Sequence, residues 1–167
     1  MTQTIDYGEL DLKANLGAFS EFDAQTVVPE VIKLKPGEVY LEVGVDKGKS
    51  LSIARMVAGV EVEVVGVDLQ PDPEVPGTIF IQGDSTKVKY DKKVNVIFID
   101  GDHTYEGCKG DIDNWLPQMA EGGVMLFHDC DATSPGVEKA VKELGKKLKK
   151  DVFYHPEQRC SMARIYL

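Results

Sequence analysis

Three apolar runs of β-type stop abruptly in glycine and acidic residues. Val39 to Val43 runs into Gly44-Val45-Asp46-Lys47-Gly48-Lys49-Ser50. Val96 to Ile99 ends in Asp100-Gly101-Asp102-His103, and Gly122 to Phe127 ends in His128-Asp129. Apolar runs without polar alternation suit strands buried on both faces, as in a parallel sheet. In an open α/β sheet, ligands bind in the crevice at the carboxyl ends of the strands. Three strand ends that deliver carboxylates or imidazoles therefore predict a pocket along one edge of such a sheet.

The remaining pattern supplies the rest of that sheet. Strands are predicted over 38–43, 60–68, 78–82, 94–100 and 123–128. Helices are predicted over 24–34 with Asp23 as N-cap, 48–58, 104–119 capped by Thr104, and from Ser134-Pro135 to about Lys149. Segments 152–154 and 162–166 read as an antiparallel hairpin at the sheet edge. Alternation of strand and helix implies right-handed crossovers. The expected architecture is α/β: a doubly wound, Rossmann-like, seven-stranded, mostly parallel sheet with a C-terminal antiparallel hairpin. Residues 1–22 are expected to form an N-terminal arm and 23–167 a single domain.

Charge narrows the partners. The net charge of −9 opposes nucleic-acid binding, which leaves a basic footprint. Lys139, Lys142, Lys146, Lys147, Lys149 and Lys150 cluster late, but Glu138 and Glu143 interrupt them at helical spacing, which marks a solvated helix face. Cys108, Cys130 and Cys160 lack CxxC spacing, and an odd count suggests reduced thiols in the cytoplasm. No apolar stretch is long enough to span a membrane.

The loop 44–50 reads G-x-x-x-G-K-S, one residue short of a Walker A loop. Its Asp46 and the nearby Glu42 would repel a triphosphate. A cationic nucleoside bearing an amino acid fits better. Glu42 can pair with an ammonium group, and Gly44 and Gly48 let backbone approach a ligand. N–H groups near Ser50 can take a carboxylate. Asp68, ending the second strand, is placed for ribose hydroxyls, and Gly83, Asp84 and Ser85 for an adenine amino group. Val45, Leu69 and Asp100 complete this expected cofactor set. S-adenosylmethionine presents all of these groups, and its sulfonium favours an acidic pocket.

These residues carry a resemblance along nearly the whole chain. The Glu42-x-Gly44-x-x-x-Gly48 loop, Asp68 and Gly83-Asp84-Ser85 resemble a class I S-adenosylmethionine-dependent methyltransferase. The stretch Phe98 to Gly107, with Trp115 and Gly122 to Asp129, is similar to a narrower group. It comprises small O-methyltransferase-like proteins related to macrocin O-methyltransferase and cephalosporin hydroxylase-type proteins. Two departures stand out: Asp46 replaces the usual second glycine, and there is no room for a cap domain over the substrate. The resemblance implies a divalent metal, Mg²⁺ or another ion, held by Asp100 and Asp129 with His128 as a third ligand. It also implies His103 as general base and Asp100 as its catalytic companion. An oxygen-rich set suits magnesium, and an added histidine better tolerates manganese or iron.

The expected function is methyl transfer from S-adenosylmethionine to a small hydroxylated acceptor. A homodimer is one expectation, with the N-terminal segment completing a partner's pocket. Two other readings stay open: a P-loop-like nucleotide-binding NTPase, and a catalytically idle cofactor-binding domain.

Overall fold

The computed structural model describes residues 5–7, 19–156 and 161–167. Seven strands form one sheet in the order β3-β2-β1-β4-β5-β7-β6. They are β1 (Val39–Val43), β2 (Glu63–Asp68), β3 (Ile79–Gln82), β4 (Val94–Ile99), β5 (Met119–Phe127), β6 (Phe153–Tyr154) and β7 (Ala163–Tyr166). The first five are parallel, and β7 runs antiparallel to both β5 and β6. The predicted seven-stranded, doubly wound sheet is therefore what forms, with the terminal pair inserted so that β7 lies inside β6.

The helices are α1 (Glu21–Val31), α2 (Lys49–Val57), α3 (Tyr105–Trp115) and α4 (Pro135–Leu148). They cover the sheet on both faces. One core joins Leu41, Ile97, Ile99, Met125 and Phe127 to Ile112, Trp115, Val141 and Leu144 of α3 and α4. The other joins Tyr40, Phe98 and Leu126 to Val27, Val28, Val31, Leu51 and Ile53 of α1 and α2. Adjacent strand residues alternate between the two cores, as the period of two requires.

Three helix ends differ from expectation by three residues or more, one of them the end of α1, which stops at Val31 rather than 34. Helix α1 begins at Glu21, not 24, because Ser20 is the N-cap. Its hydroxyl accepts the Asp23 N–H, and the Asp23 carboxylate accepts the Ser20 N–H at 2.8 Å. Asp23 is thus the third residue of a capping box rather than the cap. Helix α3 stops at Trp115, and a short 3₁₀ turn over Leu116–Gln118 follows. Pro117 there removes a backbone donor that the α-helix would have needed. Thr104 caps α3 as predicted, its hydroxyl accepting the Gly107 N–H at 3.0 Å.

Trp115 is completely buried, and its indole N–H has no hydrogen-bond partner among the described residues. Cys108 and Cys130 are buried free thiols. Cys160, most of the expected N-terminal arm (1–4 and 8–18) and the turn 157–160 lie outside the described residues. No helix among the described residues is long and apolar enough to cross a membrane.

Candidate active site

Four backbone hydrogen bonds extend the parallel ladder one residue beyond the strands. Gly83 N–H donates to Asp68 O, Gly44 to Val67 O, Asp100 to Val43 O and His128 to Ile99 O, at 2.8–3.1 Å. The five strand ends form one continuous rim. Above it opens a cleft of about 860 Å³ lined from loop 43–50, past Asp68 and Asp84, to Asp100, His103, His128 and Asp129. Of the expected site residues, all line this cleft except Glu42 and Gly48.

At one end the chain turns tightly. Gly44 has φ 81° and Gly48 φ 80°. The N–H groups of Val45 and Asp46 donate to one Asp68 oxygen at 2.7 and 3.0 Å, and the Gln70 N–H donates to the other at 2.8 Å. A carboxylate thus fills the backbone cradle where a P-loop would hold phosphate. The NTPase reading loses its physical basis here. Asp68 keeps spare acceptor capacity, since two carboxylate oxygens offer about four lone-pair directions. Leu69 beside it is 70% exposed, an apolar surface at the cleft.

Glu42 requires correction. It was expected to meet a ligand ammonium, but it is fully buried. It shares the α1/α2 side of β1 with Tyr40, and its two oxygens accept Ser50 Oγ at 2.5 Å and Tyr40 OH at 2.9 Å. Burial pushes its carboxyl up to about 8, the bonds from Ser50 and Tyr40 opposing and the charges of Asp100 and Asp68 adding. Its role is to anchor the loop from below, and the Ser50 hydroxyl is spent on it.

A raised folded-state pKa means stability that is full at low pH and declines as pH rises through the folded value. For Glu42 that window runs from its ordinary 4.5 to about 8. Between about pH 5 and about pH 9, the native protein should lose on the order of 3–5 kcal/mol more stability than Glu42→Gln. Urea unfolding of both proteins at the two pH values measures the difference.

The other end of the cleft gathers charge. Asp100 ends β4, and Asp129, with φ 50°, follows β5. That left-handed backbone is unusual for a non-glycine residue, although aspartate tolerates it better than most. His103 Nε2 lies 3.2 Å from Asp129 Oδ2 and 3.6 Å from Asp100 Oδ1. One ligand atom from each of Asp100, His103 and Asp129 can be chosen so that all three lie within 4.8 Å of one another. The interaction with Asp100 raises the His103 pKa, against its partial burial, and Asp129 adds to the rise. Burial alone would raise the Asp100 pKa, but His103 and His128 together hold it below the usual carboxylate range.

His128 also departs from expectation. Its Nδ1 faces Asp129 at 2.9 Å and Asp100 at 3.2 Å, and its Nε2 faces Asp23 at 3.4 Å. Burial disfavours its charge, but Asp100 and Asp23 outweigh that and push it up to about 11. The group whose ligand atoms converge is Asp100, His103 and Asp129, and His128 links Asp100 and Asp129 to Asp23.

Three contributors were not singled out as site residues. Asp23 reaches His128 from α1, and the Phe19 ring at the cleft meets Phe98 edge-on at 5.8 Å. Asp111, expected to face solvent, is 1% exposed, lines the cleft and accepts Ser85 Oγ at 2.5 Å. Burial pushes its carboxyl up to about 6, the Ser85 bond opposing. The spacing Cys108, Asp111, Trp115 carried the signal, because i, i+3, i+7 places all three on one stripe of α3.

Solved structures share this architecture. A mycinamycin-pathway methyltransferase, MycE, in complex with Mg and SAH superposes with TM-score 0.71 at 16% identity, over 98% of this chain and 55% of that one. The TDP-rhamnose 3'-O-methyltransferase CalS11 gives 0.64 at 13% over 96% and 92%. The N-methyltransferase NodS from Bradyrhizobium japonicum WM9 in complex with SAH gives 0.66 at 15% over 96% and 97%. At such identities the likeness establishes the fold, which is that of the class I S-adenosylmethionine-dependent methyltransferases. In sequence, residues 41–130 match the profile of a family described as a methyltransferase domain. That is just over half of the chain, and the chain belongs to this family.

Curated relatives match shorter stretches. Ribosomal RNA large subunit methyltransferase E of Desulfatibacillum aliphaticivorans is 33% identical over 81 residues, 47% of this chain and 39% of that protein. The uncharacterized protein y4gI of Sinorhizobium fredii is 37% identical over 46 residues, 28% of this chain and 5% of that protein. The chain therefore spans well under two thirds of the relatives it matches.

Proposed function

We propose that this protein transfers the methyl group of S-adenosylmethionine to a hydroxyl of a small molecule. The observation that carries this reading is that one cleft joins the Gly44–Asp68 cradle to the Asp100–His103–Asp129 cluster. Asp68 takes the ribose hydroxyls, and Leu69, Gly83, Asp84 and Ser85 form the base end. The acidic cleft complements the sulfonium.

Methyl transfer is an in-line displacement at an activated carbon, so the protein must align the acceptor and remove its proton. His103 is half exposed and its ring is steered by two carboxylates. It takes the hydroxyl proton, and Asp100 and Asp129 stabilise the imidazolium that results. The same three residues suit a divalent cation in donor type and spacing. When bound, such an ion would lower the pKa of a hydroxyl beside it. An imidazole that ligates a cation cannot also accept the proton. Retained turnover on chelation assigns His103 to base catalysis without a metal, and loss of turnover shows that an ion is required.

A small acceptor is favoured over RNA, although one partial relative is a ribosomal RNA methyltransferase by name. The net charge is −9, and Asp100, Asp102 and Asp129 at the acceptor end repel phosphate.

The testing experiment is calorimetric titration with S-adenosylhomocysteine. The native protein should bind, and Asp68→Ala should weaken binding roughly tenfold or more, because one carboxylate serves both the loop and the ribose. Absence of binding by the native protein would overturn the reading.

A further inference from the structure

The base end of the cleft has an unusual hydrogen-bond polarity. The connection from β3 to β4 starts Gly83-Asp84-Ser85-Thr86, and α3 grips it from the side. Asn114 donates its amide to Ser85 O at 2.7 Å and Val88 O at 2.8 Å, and its oxygen accepts the Lys89 ammonium. Gly110 allows close approach, since a Cβ there would sit 3.0 Å from the Thr86 methyl. Ser85 is therefore fixed through its carbonyl by Asn114 and through its hydroxyl by Asp111.

Asp84, whose position also marks it for contact with a base, already accepts three bonds within its own loop and, like Asp68, keeps one acceptor direction. Oδ1 accepts Thr86 N–H at 3.0 Å and Thr86 Oγ1 at 2.6 Å, and Oδ2 pairs with Lys87 at 2.6 Å. The Ser85–Asp111 pair lies beside it, on the α3 side of the cleft. A serine hydroxyl has one proton and two lone pairs. Here the proton is committed to a carboxylate that is 1% exposed. What Ser85 can still offer the cleft is an acceptor.

We infer that Asp111 is a positioning residue that fixes Ser85 as an acceptor. The site thereby selects a nucleoside base with an amino group at its edge and rejects one with a carbonyl there. This rests on the proposed S-adenosylmethionine reading. It adds to that reading a residue on α3 that sets base selectivity without itself facing the reaction. An amino edge donates into the Ser85 lone pair. A carbonyl edge would set acceptor against acceptor and leave both unpaired, which is more costly than losing a single bond.

The test compares S-adenosylhomocysteine with S-inosylhomocysteine, which differ at that edge, by calorimetry on the full chain. The native protein should prefer the adenosyl ligand by roughly ten- to a hundredfold, the range expected for one unpaired buried polar group. In Asp111→Asn the neutral amide can either donate to or accept from Ser85, so the preference should fall at least about threefold from the native value. Ser85→Ala should do the same, and it carries the test if Asp111→Asn does not fold. Asp113→Asn, an exposed substitution on the same helix, should leave the ratio at the native value.

Equal weakening of both ligands with the ratio preserved would give Asp111 a purely structural role and overturn the inference. Equal native affinity for the two ligands would overturn it while leaving the cofactor reading intact. Binding of neither would remove the cofactor reading, and the inference with it.

Discussion

Gly44→Ala is expected to lower the unfolding free energy by roughly 3–5 kcal/mol, from a left-handed backbone and an overpacked contact together. Gly44 lies where β1 leaves the sheet. A Cβ built there would stand 2.1 Å from the Asp100 carbonyl oxygen and 2.9 Å from Gly101 Cα, both of them backbone atoms. Neither can move without breaking the bond from Asp100 N–H to Val43 O that forms part of the rim. Gly122 provides the control. It also has positive φ, at 71°, but nothing lies within 4 Å of its would-be Cβ. Gly122→Ala should cost only about 1 kcal/mol, the backbone contribution alone. Urea unfolding of the two variants separates strain from collision. Similar losses in both would show that the β1 and β4 ends can spread apart.

Asp100→Asn should reduce methyl transfer by about 10²–10⁴-fold, the usual weight of a positioned acid–base partner. Asp100 sits between two imidazoles, 3.2 Å from His128 and 3.6 Å from His103. Its charge orients the proposed base and completes the candidate ligand set, so one substitution disables either version of the chemistry. The amide keeps the volume and one acceptor oxygen, so cofactor binding should stay within about threefold of native, less than one hydrogen bond's worth. The measurement is transfer of labelled methyl from S-adenosylmethionine to a panel of hydroxylated acceptors, alongside S-adenosylhomocysteine titration. Turnover within tenfold of native would remove Asp100 from the chemistry.

Much of the scaffold could be read from local pattern. The runs 39–43 and 94–99 declare themselves as two-sided buried strands because they lack alternation. Gly-rich and acidic strand ends then place the cleft. What local pattern missed depends on distance in sequence. Asp23 meets His128 across 105 positions, and nothing near either residue announces the pair. The tie of His128 to α1 was missed for the same reason. Its ring faces three carboxylates from three segments, one of them on α1. Glu42 was misjudged differently. It falls on the Tyr40 side of a strand covered on both faces, so a carboxylate at the strand tip points under α2 and not into the cleft. Asp111 could have been placed correctly, since it shares the Cys108–Trp115 stripe. Its charge argued for solvent, and burial beside Ser85 prevailed.

The chain contains a single tryptophan, and Trp115 is completely buried at the end of α3. Its ring lies in the core shared by β1, β4, β5 and α4. The protein therefore carries a native fluorophore at one defined place, with no surface indole to blur the signal. Emission in the folded state comes from a dry apolar setting, and a red shift marks water reaching that core. The same helix holds Asp111 against the cleft. One optical channel thus follows both the integrity of the fold and the docking of α3, without a label.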